Sequence, residues 1–357
     1  MSINQGLEGV VAAETALSHV DGERGELIIA GFPVAELALN ATFEETVDIL
    51  WSAAATPPLS SGKRDIPAST IALLRDAARD RVDTMDALRM GAGTIRSDAP
   101  ADVLAALPTI VAAYWRLLHG HEPIAPRVDL GHAANYLYML SGDVPSAERV
   151  RGLETYLDTV VDHGLNASTF TARVITSTGS DLVSAVVGAI GALKGPLHGG
   201  APGPALDMVF EIGDAARAEE VLRRKIESGE KLMGFGHRVY KVRDPRADVL
   251  AVAAERLFRR DGDLRLYELA KSVEATALRL LEEYKPGRRL QTNVEFYTAL
   301  LLHGLGLDVP LFTPTFAVSR AAGWIAHCLE QRRANRIIRP QSVYVGPAGR
   351  TWRNPAA

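Results

Sequence analysis

Two segments of the chain place a histidine among glycines. Residues 233–241 have the sequence MGFGHRVYK, and residues 195–200 have the sequence GPLHGG. Glycine adopts backbone angles that are closed to other residues, so the main chain can approach a ligand closely while His198 or His237 points at it. Two such segments in one chain predict acid–base chemistry on a small, enclosed substrate.

Other residues could serve the same site. Glu295 lies in the otherwise apolar run NVEFY, where a carboxylate costs energy unless it is paired, hydrogen-bonded or used in chemistry. His163 lies in DHGLNAS, and Arg243 and Arg246 flank an Asp-Pro pair. Taken singly, each has an ordinary interpretation as a turn residue, a helix cap or a solvated charge. Together, three imidazoles, one carboxylate and several arginines suit a polyanionic substrate.

The elements that position these residues are predicted to be helices. Aromatic residues make up only 6% of the chain and hydrophobic residues 47%, which favours helix packing through Ala and Leu. Thr42 with Glu45, and Thr313 before a proline, are typical helix starts. Alternating patterns are limited to residues 26–29 and 342–345, each enough for a small hairpin at most. The sequence therefore predicts an all-α fold. Apolar residues recur at helical spacing in nine segments: 43–55, 71–81, 101–118, 147–162, 182–193, 247–258, 264–283, 293–302 and 313–333.

Length and charge narrow the class of protein. A chain of 357 residues can form two lobes around a cleft. A net charge of −4 gives no indication of binding to nucleic acid or to an anionic membrane surface. The single cysteine, Cys328, excludes an intrachain disulfide and favours a reducing compartment. The N-terminus lacks a signal-peptide pattern, and residues 182–193 are too short to span a bilayer. We expect a soluble cytoplasmic protein.

The ordered motifs resemble those of the citrate synthase family. The resemblance is to the short prokaryotic type, a group that includes 2-methylcitrate synthases, and it runs nearly end to end. It implies an almost entirely helical homodimer. Residues 1–198 and 300–357 would form a large dimerising domain, and residues 199–299 a smaller, mobile, CoA-binding domain that closes over the active site. The motifs, in chain order, are GLEGVVA, DHGLNAS, GPLHGGA, MGFGHRVYK, DPR, NVEFY, SRAAGWIAHCLEQ, IRP and YVGP.

The resemblance implies a reaction that needs no cofactor. Acetyl-CoA would condense with oxaloacetate, and citryl-CoA would then be hydrolysed to citrate and CoA. By motif position, Glu295 would remove a methyl proton and His198 would donate to the enolate oxygen as charge develops there. Ser168 would orient His198. His237 would polarise the oxaloacetate carbonyl.

The substrate carboxylates and CoA are assigned by the same resemblance. Guanidinium groups bind carboxylates through two parallel hydrogen bonds, which suits Arg246, Arg320 and Arg339. Arg339 would reach in from the other subunit, and His163 would be a further oxaloacetate ligand. The CoA adenine would rest on main chain near residues 233–236. The six CoA positions are Met233, Gly234, Phe235 and Gly236, with Lys231 and Lys241 as phosphate partners.

Two departures from the family pattern stand out. Many members have aspartate where this chain has Glu295, so the carboxylate lies one methylene further from its backbone. Because catalytic alignment tolerates little displacement, the change could slow proton abstraction unless the helix shifts. We expect compensation, since every other motif is intact. Residues 201–203 are Ala-Pro-Gly where Ala-Asn-Glu is common, and the proline can stiffen this turn.

Three alternatives stay open. A 2-methylcitrate synthase would use propionyl-CoA, a difference of one methyl group that is worth only about 1–3 kcal/mol. A paralogue that binds CoA or organic acids without turnover is suggested only by Glu295. A zinc hydrolase could use the three histidines and the glutamate, but the chain has no His-Glu-x-x-His pair and its histidines lie in glycine turns. We therefore expect no metal.

Overall fold

The fold is that of a helical protein with one small sheet. A computed structural model of the chain describes residues 5–7, 9–52, 57–199, 202–236, 240 and 242–349. The described residues form fifteen α-helices and three short strands, so the all-α prediction is confirmed. The helices are α1 (Val34–Asn40), α2 (Phe43–Trp51), α3 (Ala68–Arg79), α4 (Thr84–Ala92), α5 (Pro100–Leu118), α6 (His132–Ser141), α7 (Ala147–Val160), α8 (Ala167–Ser177), α9 (Leu182–Leu193), α10 (Pro202–Ile212), α11 (Ala218–Glu227), α12 (Pro245–Asp261), α13 (Leu264–Tyr284), α14 (Val294–Gly304) and α15 (Phe312–Arg333).

The sheet lies ahead of the first helix. Its strands β1 (Ser18–Asp21), β2 (Glu26–Ile29) and β3 (Phe32–Pro33) are antiparallel and adjacent in sequence order. Leu27 and Ile29 are buried whereas Glu26 is exposed, which is the alternation that predicts a half-buried strand. The prediction of a second possible strand, at residues 342–345, was wrong. In the described structure that segment is exposed and pairs with no strand, and a ladder needs a partner.

Most predicted helices are present with small shifts at their ends. The capping box at the start of α2 is formed, with the Thr42 hydroxyl accepting from the Glu45 amide and the Glu45 carboxylate accepting from the Thr42 amide. The predicted cap at Thr313 was wrong, because α15 already begins at Phe312. The Thr313 hydroxyl instead donates to the carbonyl of Gly199 at 2.9 Å. It therefore ties the GPLHGG turn to α15.

The central element of the core is α15. It packs against α5, α7, α8 and α9, and Trp324 and Ile325 within it have no exposed surface. Gly323 permits its closest approach: a Cβ there would lie 2.4 Å from the Val161 carbonyl oxygen and 2.7 Å from Asp162 Oδ1. Those two residues directly precede His163, so the packing of α15 sets the position of one predicted site residue.

One described helix, α5, is long and apolar enough to cross a membrane by length and composition alone. Of its most apolar window, 72% is buried inside the fold, against α3, α4, α6 and α15. A bent pair, α14 with residues 309–333, passes the same test with a bend of 116°. Burial on this scale is typical of core helices.

Candidate active site

His198, in the turn after α9, contacts Ser168 at the start of α8. His198 lies in the turn after α9, where its amide donates to the carbonyl of Gly195 at 2.9 Å. Its Nε2 is 2.8 Å from the hydroxyl of Ser168, a fully buried residue in the first turn of α8. Asn166 caps this helix by accepting from the Thr169 amide at 3.1 Å. The structure thus brings together the two residues that the sequence analysis paired.

The Ser168 hydroxyl has three polar neighbours but only one proton. Asn166 Oδ1 lies 2.8 Å away and can only accept, whereas Trp324 Nε1 lies 3.0 Å away and can only donate. If Ser168 gives its proton to Asn166, it must accept from His198, whose proton is then on Nε2. If the hydroxyl turns toward His198 instead, the imidazole proton is on Nδ1. The hydroxyl direction therefore selects the tautomer of His198.

His198 is neutral at neutral pH. Burial, together with the nearby charge of Arg320, lowers the pKa of His198 to about 4. An imidazole with this pKa offers a hydrogen bond without carrying a positive charge. That property suits a group that stabilises a developing oxyanion by donation.

Arg320 supplies a buried cation from α15. Only 2% of the residue is exposed, its Nε donates to the Val160 carbonyl at 2.7 Å, and its guanidinium lies 4.7 Å from the centre of the Phe316 ring. Burial lowers the pKa of Arg320 to about 10, so the group stays charged at neutral pH. A buried guanidinium of this kind gains most from an anionic partner, which a substrate carboxylate would provide.

A second cation approaches from the start of α12. Arg246 is 5% exposed and donates to both carboxylate oxygens of Asp244, from Nε at 3.0 Å and from Nη2 at 2.8 Å. Its guanidinium lies 5.6 Å from the centre of the Tyr240 ring. The Tyr240 hydroxyl is in turn 3.1 Å from Nε2 of His163. Arg246 and His163 therefore share a neighbour, as expected of two ligands for one substrate.

Glu295 lies in the first turn of α14. The side chain of Asn293 caps the helix by accepting from the Glu295 amide at 3.0 Å, and the Val294 amide donates to Asp244 at 3.2 Å. The Glu295 carboxylate makes no hydrogen bond to any residue that the structure describes. Burial raises its pKa, although the charge of Arg246 opposes the shift. A desolvated carboxylate with a raised pKa is a stronger base than one in water.

The predicted CoA segment is bonded to the residues just before Glu295. Gly234 and Gly236 have φ angles of 88° and 85°, in the left-handed region that glycine favours. The carbonyl of Gly234 accepts from the Asn293 amide at 2.9 Å, and the amide of Gly236 donates to Gln291 at 2.7 Å. A Cβ on Gly234 would lie 2.9 Å from that of Phe296. The glycine segment and the residues just before Glu295 are therefore held as one unit.

The contacts above do not involve every predicted site residue that the structure describes, and two predicted residues lie outside the described part of the chain. His237 and Lys241 lie outside the described residues, so their roles stay predictions. Lys231 is exposed next to the glycine segment, and Met233 and Phe235 are half-buried within it. Arg339 is exposed in the tail after α15 and makes no hydrogen bond or ion pair to the predicted site residues that the structure describes.

Comparison with known proteins decides the family. The sequence model described as citrate synthase, C-terminal domain, matches residues 6–341. The chain belongs to the citrate synthase family. It is 40% identical to a Bacillus subtilis protein named citrate synthase 2, over 97% of each chain. It is 39% identical to a 2-methylcitrate synthase of Mycobacterium tuberculosis, over 96% of this chain and 91% of that one.

A solved structure shares the fold. The citrate synthase of Thermoplasma acidophilum, in a ternary complex with carboxymethyl coenzyme A and oxaloacetate, has a TM-score of 0.85 and 29% identity, covering 99% of each chain. This agreement extends the family assignment from the sequence to the three-dimensional arrangement of the helices. The chain is therefore an acyl-transferring enzyme of the citrate synthase type.

The polar residues that hold the site residues of this citrate synthase family member could not be identified from motifs alone. Asn166 and Trp324 surround the Ser168 hydroxyl, Tyr240 joins His163 to Arg246, and Asp244 joins Arg246 to the start of α14. Two of them had a local signal. Asn166 and Asp244 each precede a helix as an N-cap residue. Trp324 had none, since it lies 156 residues from its partner.

The raised pKa of Glu295 gives a prediction for the pH dependence. A general base must be deprotonated, so kcat should fall as pH decreases through an apparent pKa above the ordinary glutamate value of 4.5. His198, with a pKa of about 4, should contribute little to this limb above pH ~5. The measurement is the pH–rate profile of oxaloacetate-dependent thiol release, with circular dichroism at each pH as the control for acid unfolding. Constant kcat down to pH ~4.5 in folded protein would show that no such base is at work.

Proposed function

We propose that this protein condenses acetyl-CoA with oxaloacetate and hydrolyses citryl-CoA to citrate and CoA. The observation that carries the proposal is a half-buried carboxylate, Glu295, on a helix start that shares Asp244 with Arg246, together with a neutral His198 bonded to Ser168. Electrostatic effects connect these residues. The charge of Arg246 lowers the pKa of Glu295 and of Arg320, and the charge of Arg320 lowers the pKa of His198.

Each part of this site has a task in that reaction. The methyl group of a thioester is a much weaker acid than any carboxylic acid, so Glu295 can take its proton only if the enolate is stabilised as it forms. The Ser168 hydroxyl donates to Nε2 of the neutral His198, which places the imidazole proton on Nδ1, and this N–H donates a hydrogen bond to the enolate oxygen. The enolate carbon then attacks the oxaloacetate carbonyl, while Arg246 and Arg320 bind the substrate carboxylates with His163 beside them. Polarisation of that carbonyl by His237 is part of the proposal.

Acetyl-CoA and oxaloacetate are supported as substrates by a relative of the same fold. The Thermoplasma acidophilum citrate synthase is described in complex with carboxymethyl coenzyme A and oxaloacetate. In this chain the glycine segment at residues 233–236 is bonded to residues 291–293, next to the base. We place CoA along this segment. The division into a large domain and a closing domain at residues 199–299 stays a prediction.

We also propose that the active form is a homodimer. The tail after α15 is extended and exposes large apolar side chains, including Tyr344 at 74% and Val345 at 91%. No charged residue occurs within α9, and Val183, Val187 and Gly191 on it are at least partly exposed. Apolar surface of this kind is typical of a protein interface. A second copy would cover it and would bring Arg339 to the partner's site.

The first experiment is release of free CoA thiol from acetyl-CoA, with and without oxaloacetate, and from propionyl-CoA at the same concentration. We expect release that depends on oxaloacetate and is faster with acetyl-CoA. Faster release from propionyl-CoA would instead favour 2-methylcitrate synthesis. Folded protein that releases no thiol from either ester would contradict the proposed activity and favour a binding-only paralogue.

Mixed dimers test the shared site. Arg339→Ala and His198→Ala should each be nearly inactive alone. When the two variants are dissociated and reassociated in equal amounts, half of the dimers are mixed and each contains one intact site. Activity should therefore recover to about a quarter of the wild-type rate. If native mass spectrometry detects mixed dimers without any recovery, Arg339 does not act across subunits.

A further inference from the structure

Glu274 is a buried carboxylate to which the proposed mechanism gives no task. It lies in the middle of α13 and is 3% exposed. Four side-chain donors surround its carboxylate. They are the Tyr297 hydroxyl at 2.5 Å, the Thr292 hydroxyl at 2.8 Å, Lys271 Nζ at 2.8 Å and Arg243 Nη1 at 2.9 Å.

Three of these donors, Thr292, Tyr297 and Arg243, belong to the segments that carry the site. Thr292 and Tyr297 flank Glu295 on either side, so two of the four bonds fix the first turn of α14. Thr292 also forms a bridge with Phe235 in the predicted CoA segment. Arg243 directly precedes Asp244, the residue that holds both Arg246 and the Val294 amide. One carboxylate thus connects the base, the CoA segment and a substrate arginine.

Glu274 acts as a fixed charge. Burial opposes its ionisation, but hydrogen bonds from Lys271, Tyr297 and Thr292 and the charge of Arg243 lower its pKa to about 2. The carboxylate therefore stays ionised at neutral pH. A group that does not titrate near neutral pH can orient its neighbours but cannot exchange protons with a substrate.

Loss of the Glu274 charge would weaken the hydrogen bonds from all four donors, because each now bonds to an ionised oxygen. An amide in place of the carboxylate would turn an NH₂ group toward the donors at one oxygen position, so either Thr292 and Arg243 at Oε1 or Tyr297 and Lys271 at Oε2 would lose their acceptor. Arg243 would keep its ion pair with the exposed Asp248. With the NH₂ group at the Oε1 position, the Arg243 side chain would then be held on the solvent side, while Asp244 keeps its bonds to Arg246 and Val294.

We propose that Glu274 is a positioning residue for the reaction, holding Glu295 and Arg246 in place through Thr292, Tyr297 and Arg243. The inference rests on the proposed function, since it assumes that Glu295 is the base. It differs from that function in assigning a task to a residue that touches neither substrate. Catalytic rates are sensitive to displacements of about 1 Å, which can lower them by about a hundredfold.

The test compares Glu274→Gln with Glu268→Gln, which removes an exposed carboxylate from the same helix. We expect kcat of Glu274→Gln to fall about 10- to 100-fold, with KM for acetyl-CoA changed less than about threefold. Glu268→Gln should match the wild type. Glu274→Asp keeps the charge and should recover part of kcat, and it serves as the measured variant if Glu274→Gln does not fold. Tyr297→Phe should add little to Glu274→Gln, because both remove the same contact.

A second readout does not depend on turnover. Hydrogen exchange followed by mass spectrometry should show faster exchange in a peptide spanning residues 291–300 of Glu274→Gln, while a peptide from α9 is unchanged. If the wild type releases no thiol, the proposed function fails, and this local exchange still tests the contacts of Glu274. Turnover within about twofold of wild type, or exchange that rises equally in α9, would overturn the positioning role.

Discussion

The site depends on keeping one carboxylate half-buried and still able to ionise. Glu295 is partly removed from water, which raises its pKa and its strength as a base, and a nearby positive charge opposes that rise. Arg246 supplies the counter-charge, and its own position is fixed by Asp244. The same Asp244 accepts from the backbone of Val294, so base and cation are held by one shared residue.

The site is assembled from two groups of helices. One contributes Glu295 and Arg246, on α14 and α12, braced from α13 by Glu274. The other contributes His198 and Arg320, around the buried core helix α15. The predicted boundaries of the smaller domain, at residues 199 and 299, separate these groups. A closing motion would thus change the distance between the base and the oxyanion donor.

Local patterns account for much of the fold. The apolar spacing of α5, α7 and α9 and the capping box of α2 can be predicted from neighbouring residues, because they depend on contacts a few positions apart. The motifs also led to His198, Ser168, Arg246 and Glu295. The failures concern long-range contacts: Thr313 bonds to Gly199 instead of capping a helix. Trp324, Tyr240 and Glu274 could not be assigned, because their partners are fixed by tertiary packing.

The most direct test of the central claim is to replace Glu295 by glutamine and to measure turnover and oxaloacetate binding in the same preparation. An amide keeps the size of the side chain but cannot take a proton. We predict that thiol release falls by at least about a thousandfold, within the range found for general-base catalysis combined with alignment, while oxaloacetate still binds, because Arg246 and Arg320 are unchanged. Normal turnover in this variant would show that Glu295 is not the base.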